Sequence, residues 1–172
     1  LGGSGATVRI NRRDEDLWKR HLPKRTLWVP NAISPPAATT QRRLRPVKGQ
    51  FAKFLGDDGP LWVVPTRFLR RKNLAEAVLL TRWLRPEAWL LTTAGVSSAG
   101  ERTYARSLTV AARRGGWRVR FGILSGAGAE LATIEEMMAA AEVVLLTSVQ
   151  EGFGLPVLEA SAAGKPLIVR NL

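Results

Sequence analysis

The sequence has no cysteine. That excludes a disulfide framework and a thiolate metal site, and the redox compartment leaves no mark on the chain. It has one histidine, His21, in a segment that reads as helix, where a surface position suits it better than the role of a base. No apolar run approaches the ~18–20 residues that a membrane span needs. No G-x4-G-K-[ST] string occurs, which dismisses a P-loop nucleotide hydrolase. The first strand is not followed by G-x-G-x-x-G, so a dinucleotide oxidoreductase fits badly. Zinc, RNA-recognition and basic-zipper patterns are missing as well. An initiating Met is also lacking: the chain opens Leu1-Gly2-Gly3-Ser4-Gly5, without a basic-then-apolar signal pattern. This start reads as the cut edge of a longer protein or as linker residue, and a cytoplasmic location is the default expectation.

Acidic residues are scarce. Asp and Glu number 14 against 26 Lys and Arg, giving a formal net charge of +12 over 172 residues. Such an excess calls for anionic partners: nucleic acid, a membrane surface or phosphorylated small molecules. The charges cluster at Arg12-Arg13, at Arg42-Arg43-Arg45, from Arg67 to Lys72, and at Arg113-Arg114 with Arg118 and Arg120. Solvated helix faces and loops account for these clusters, except for Arg67 to Lys72. Apolar residues make up 45% of the chain, enough for a globular core.

Short apolar runs alternate with longer amphipathic segments. Leu61 to Val64, Ala88 to Thr93 and Val143 to Leu146 read as buried strands, and Leu167 to Val169 opens another. Trp117 to Phe121 alternates in period two, as an edge strand does. Leu74 to Leu84, Glu101 to Arg114, Glu130 to Ala141 and Pro156 to Ala163 read as helices. Asn73 and Glu76 stand in capping-box positions, Gly115-Gly116 forms a stop, and Pro156 stands at a helix start. Strands alternating with helices predict an α/β fold, a Rossmann-like parallel sheet with helices on both faces. Continuous apolar runs suit strands covered on both sides. Trp62, Trp83, Trp89 and Trp117 are expected at core-facing or sheet-packing positions.

Upstream, Thr7 to Ile10, Asp14 to Leu22 and Thr26 to Val29 read as strand, helix and strand. The run from Pro30 to Pro36 breaks regular structure, and the stretch to Gly59 is rich in Pro, Arg, Thr and Gln. The organisation expected is therefore residues 1–30 as the remnant of a preceding domain, 31–59 as an interdomain linker, and 60–172 as the Rossmann-like domain.

Ligands of open parallel sheets sit beyond the carboxyl ends of the strands, where strand order reverses. Two loops that follow strands carry unusual chemistry. In Ser148 to Pro156, Gly152 and Gly154 let a ligand approach the main chain closely. Backbone N–H groups opening the next helix would make an anion site, helped by a dipole of about half a positive charge. Glu159, one turn into that helix, can face the same pocket and accept from two vicinal hydroxyls. Glu151 lies nearer the far end of such a ligand. In Pro65 to Asn73, Arg67 offers a planar fork to phosphate oxygens and Lys72 a point charge.

The string Glu151-Gly152-Phe153-Gly154-Leu155-Pro156-Val157-Leu158-Glu159-Ala160 resembles the E-x7-E signature of retaining GT-B glycosyltransferases, glycosyl transferases group 1. Arg67, Lys72 and Asn73 are similar in order and spacing to that group's R-x4-K-N element. Pro30-Asn31-Ala32-Ile33 resembles its P-N-G-[IV] segment, with Ala32 in place of Gly. The resemblance covers residues 26–172. It implies a two-domain enzyme whose donor, a nucleotide-diphosphate sugar, is held by residues 60–172. Arg67 and Lys72 would meet the diphosphate, Glu159 the ribose hydroxyls and Glu151 the sugar hydroxyls. The amides from Gly152 through Phe153 and Gly154 to Leu155 would touch sugar and phosphate, and the turn at Ser125-Gly126-Ala127 would lie near the base. The anomeric configuration would be retained, the leaving phosphate would assist attack by the acceptor, and no cofactor or metal would be required.

The resemblance further implies an N-terminal acceptor domain not represented in these residues, and more elements beyond the last strand. The chain alone is therefore expected to bind donor poorly or moderately and to transfer little or nothing. The acceptor, a carbohydrate or a lipid-linked molecule, is not readable. Three other readings stay open. A nucleic-acid module suits the charge, but the aromatics sit in apolar runs and are not interleaved with the basic clusters. A non-catalytic nucleotide-sugar-binding scaffold has the same residues. Peripheral contact with an anionic membrane would use the Arg clusters, although no basic amphipathic helix stands out.

Overall fold

The structure is a computed structural model that describes residues 7–9, 12–22, 26–29, 32 and 38–171; for residues 7, 8, 28 and 38–43 it describes the backbone alone. Pro30, Asn31 and Ile33 of the Pro-Asn-Ala-Ile segment lie outside the described residues.

Two short strands, β1 (Thr7–Arg9) and β2 (Thr26–Trp28), pair in parallel around helix α1 (Arg12–Lys19). His21 is exposed in the turn after α1. Helix α2 (Ala38–Leu55) follows. The remainder alternates strictly: β3 (Leu61–Val64), α3 (Leu74–Leu84), β4 (Trp89–Thr92), α4 (Arg102–Arg114), β5 (Val119–Arg120), α5 (Ile134–Ala140), β6 (Val143–Leu146), α6 (Leu155–Ala162) and β7 (Leu167–Val169). The five strands β3 to β7 form one sheet in the order β5-β4-β3-β6-β7, every pairing parallel. This is a doubly wound sheet whose order reverses between β3 and β6.

Period-two alternation sends successive residues of each strand to opposite faces. Leu61, Val63, Leu91 and Val144 pack against Val47, Phe51 and Leu55 of α2, Met137 and Met138 of α5, and Ala160 of α6. Trp62, Val64, Leu90 and Leu145 pack against Leu74, Ala77 and Val78 of α3 and Ala105 and Leu108 of α4. Helices thus cover both faces, as the alternation predicts. Burying each large aliphatic or aromatic side chain contributes about 1.5–3 kcal/mol before ordering costs are counted.

Four sequence expectations are corrected. Residues 31–59 are not an irregular linker throughout: α2 occupies 38–55, and Val47, Phe51 and Leu55, spaced one turn apart, enter the core of the sheet domain. Pro46 obscured this helix, yet it is exposed and is carried because tertiary burial of the opposite stripe outweighs propensity. Trp83 is not a packing residue but is 82% exposed, while Trp62 and Trp89 are buried. Asn73 occupies the N-cap of α3 in the left-handed region, at φ 49°, with no side-chain cap bond; its amide instead donates to the Glu76 carboxylate. The true capping box lies at Thr133 and Glu136, which starts α5 at Ile134 and not at Glu130.

Candidate functional site

At the carboxyl end of the sheet, β3 and β6 deliver their following loops to one crevice, at the point where the strand order reverses. The loops are stitched together. Thr147 Oγ1 donates to the Lys72 carbonyl at 2.9 Å, Val149 N to the Arg71 carbonyl at 2.8 Å, and Arg71 Nη1 to the Gln150 carbonyl at 3.2 Å. A cavity of about 340 Å³ opens between them, lined by Pro65, Lys72, Glu151, Phe153, Gly154, Leu155, Pro156 and Glu159. Residues read separately from two loops and a helix therefore share one wall-to-wall space.

The two carboxylates in this cavity differ. Glu151 is engaged: its carboxylate accepts from the Lys72 ammonium and the Ser148 hydroxyl, with Arg71 Nη1 at 3.8 Å. Burial pushes its pKa upward, but those two hydrogen bonds and the charges of Lys72 and Arg71 outweigh it, and the carboxyl is held below its ordinary value. The Glu159 carboxylate has no hydrogen-bond or ion-pair partner among the described residues. Burial, and then the charge of Glu135, raise its pKa above the ordinary value. A half-buried carboxylate facing a cavity without a donor of its own is an acceptor held ready.

Gly154 forms the N-cap of α6 at φ 80°, a conformation that L side chains rarely adopt. The turn leaves the N–H groups of Phe153, Gly154 and Leu155 without an acceptor among the described residues, and Pro156 has none to offer. Aligned at a helix start, such donors favour a negative group. Gly152 is exposed, its φ is not positive, and a Cβ there would meet nothing within 4 Å, so neither backbone conformation nor crowding in the unliganded crevice demands glycine there.

The remaining predicted residues lie outside the cavity lining. Arg67 is exposed, and its guanidinium makes no hydrogen bond or ion pair among the described residues. Its loop is tied sideways, Phe68 N donating to the Gly95 carbonyl at 3.1 Å and Thr93 Oγ1 to the Thr66 carbonyl at 3.1 Å. Ser125 is exposed and accepts from Gly95 N at 3.3 Å, on the same loop whose carbonyl holds Phe68 N. Neither Arg67 nor Ser125 lines the cavity. Sequence reasoning missed Arg71 and Ser148, which flank Glu151, and Arg170, whose guanidinium pairs with Glu76 across the α3 N-terminus. Only the density of cations around Lys72 hinted at Arg71.

Solved structures share this architecture. A structure of Anabaena Alr3699/HepE in complex with UDP and glucose superposes with a TM-score of 0.71 at 18% identity, covering 96% of this chain and 44% of that one. WaaG, a glycosyltransferase involved in lipopolysaccharide biosynthesis, gives a TM-score of 0.66 at 21% identity, covering 98% and 45%. The C-terminal domain of the group 1 glycosyltransferase LpcC from Francisella tularensis gives 0.54 at 21% identity, covering 78% and 66%. The chain thus spans under half the length of the first two. No curated protein matches it. The fold is that of a GT-B glycosyltransferase domain. Residues 48–172 match the family of glycosyl transferases group 1, and the chain belongs to that family.

Proposed function

We propose that this chain is the donor-binding half of a retaining glycosyltransferase that takes its sugar from a nucleotide-diphosphate sugar. The observation that carries the reading is Glu159, a half-buried carboxylate without a partner among the described residues, facing Lys72 and Glu151 across one cavity. A carboxylate accepts from both hydroxyls of a ribose. The N–H groups from Phe153 to Leu155, with Lys72 and Arg67, suit a diphosphate. The UDP-containing HepE complexes support this class of ligand.

In the reaction, the bond from the anomeric carbon to the diphosphate oxygen breaks as a bond to the acceptor oxygen forms on the same face. The acceptor proton passes to the departing phosphate oxygen. Preorganised donors and cations around that phosphate stabilise the charge it gains, typically by a few kcal/mol per donor, and no metal is required. Glu151 accepts from sugar hydroxyls once the diphosphate has drawn Lys72 away from it. The acceptor, a carbohydrate or a lipid-linked molecule, docks on an N-terminal domain.

Calorimetric titration with UDP, GDP and ADP sugars, repeated on Glu159→Ala, tests the reading. One nucleotide sugar should bind selectively and lose at least tenfold in affinity in the variant. Equal affinity of the two proteins for every donor that binds would sink the assignment of Glu159.

A further inference from the structure

Helices α3 and α4 cover the same face of the sheet, and the Tyr104 hydroxyl at the start of α4 accepts from Ala75 N at the start of α3 at 3.2 Å. With Leu74, Ala77, Val78 and Thr81 of α3 and Ala105, Leu108 and Ala112 of α4 turned inward, the residues out of phase with them form one outward surface. That surface has an unusual composition. Trp83 projects from it 82% exposed, with Leu79 at 60% on the same helix and Val110 at 39% on α4. Around these stand Arg82, Arg102, Arg106, Arg113 and Arg114, none with an ion pair among the described residues. The acids at the starts of the two helices are already paired, Glu76 with Arg170 and Glu101 with Arg70. Neither the crevice nor its residues take part.

We propose that the outer face of α3 and α4 docks on an anionic bilayer surface, with Trp83 and Leu79 at the headgroup level and the arginines on lipid phosphates. Trp sits favourably where one end is apolar and the other wet, and unpaired arginines are drawn to a negative surface potential. Leu79 and Val110 decide against a nucleic acid, because aliphatic side chains offer bases no stacking platform. A two-fold dimer through this face would set arginines against arginines with no acid to answer them.

Vesicle flotation of the chain tests the proposal, with phosphatidylcholine alone and with an equimolar mixture of phosphatidylcholine and phosphatidylglycerol. The chain should float with the mixture only, and raised salt should release it. Replacing Arg106, Arg113 and Arg114 by Gln should lower partition about a hundredfold, at about fivefold for each arginine near an anionic surface. Trp83→Gln should lower it further. All four positions are exposed, so a circular dichroism spectrum and melting point like those of the parent chain are expected. Equal recovery with both lipids would overturn the proposal, as would undiminished flotation of the arginine variant. Polyuridylate binding that displaces the vesicles and is indifferent to Trp83→Gln would transfer the surface to nucleic acid.

Discussion

Replacing Glu151 by Gln tests how the unliganded crevice is held. The Lys72 and Glu151 side chains are 11% and 13% exposed, so their contact lies between the exposed and the buried regimes. Exposed pairs contribute about 0–1 kcal/mol, and breaking a buried one costs about 3–5 kcal/mol. Some water still reaches this cavity, and the Gln amide keeps the bond from Ser148. A loss of about 2 kcal/mol is expected, or roughly 4–8 °C in melting temperature for a chain of this length. The pH dependence fixes the cause. The Glu151 carboxyl is held below its ordinary value, so the folded state binds fewer protons than the unfolded one. Its stabilisation is complete above about pH 4.5 and disappears as pH falls through the folded pKa. Thermal melts followed by circular dichroism should separate the two proteins near neutrality and bring them together in acid. A double-mutant cycle with Lys72→Met should return a coupling of about 1–3 kcal/mol. A difference that persists unchanged at acid pH, or a cycle without coupling, would refute the pairing as the source.

Other outcomes follow from single residues. Glu159→Gln should leave the unliganded chain as stable at neutral pH or slightly more so, because its raised pKa marks a charge that the fold disfavours; binding of the nucleotide sugar should weaken in the same variant, which calorimetry beside melting resolves. In the parent chain, donor affinity should fall on acidification at a pH above the ordinary glutamate range. Gly154→Ala should cost about 1–2 kcal/mol in urea unfolding from its φ of 80°, since the added Cβ meets only Val157 Cγ2 at an ordinary 3.6 Å. Phe51→Ala, at a fully buried position of α2, should cost about 3–5 kcal/mol, and a loss below about 1 kcal/mol would detach α2 from this core.

Much of the architecture was legible because the buried strands are continuous apolar runs and the segments between them are long and amphipathic. Leu74 to Leu84 is one such segment, and the structure starts and ends its helix there. Helix α2 was hidden because its stretch carries Pro46 and polar residues, and the burial that holds it comes from α5, about ninety residues on in sequence. Trp83 misled for the opposite reason: an aromatic in a helix suggests packing, but its phase turns it outward. In the site, Glu151, Glu159, Lys72 and the loop from Phe153 to Leu155 were brought together as the motif suggested. What sequence alone could not supply was the internal pairing. Nothing in the spacing says that Lys72 is held by Glu151 while Glu159 stands unpartnered, because that contact spans 79 positions.

The three hydrogen bonds that join Lys72, Arg71 and Gln150 to their partner loop have a consequence for inheritance and for engineering. Two of them use backbone carbonyls of residues 71 and 72 as acceptors, so they constrain the path of the loop more than its side chains. On the donor-binding function proposed above, donor preference is thereby lodged in a cassette with two distant coding stretches, 65–73 and 147–155. A chimaera that imports one stretch from a relative inherits a mismatched seam, whereas transplanting both preserves it. Specificity in this domain should drift in linked steps, a change on one side of the crevice followed by its complement on the other.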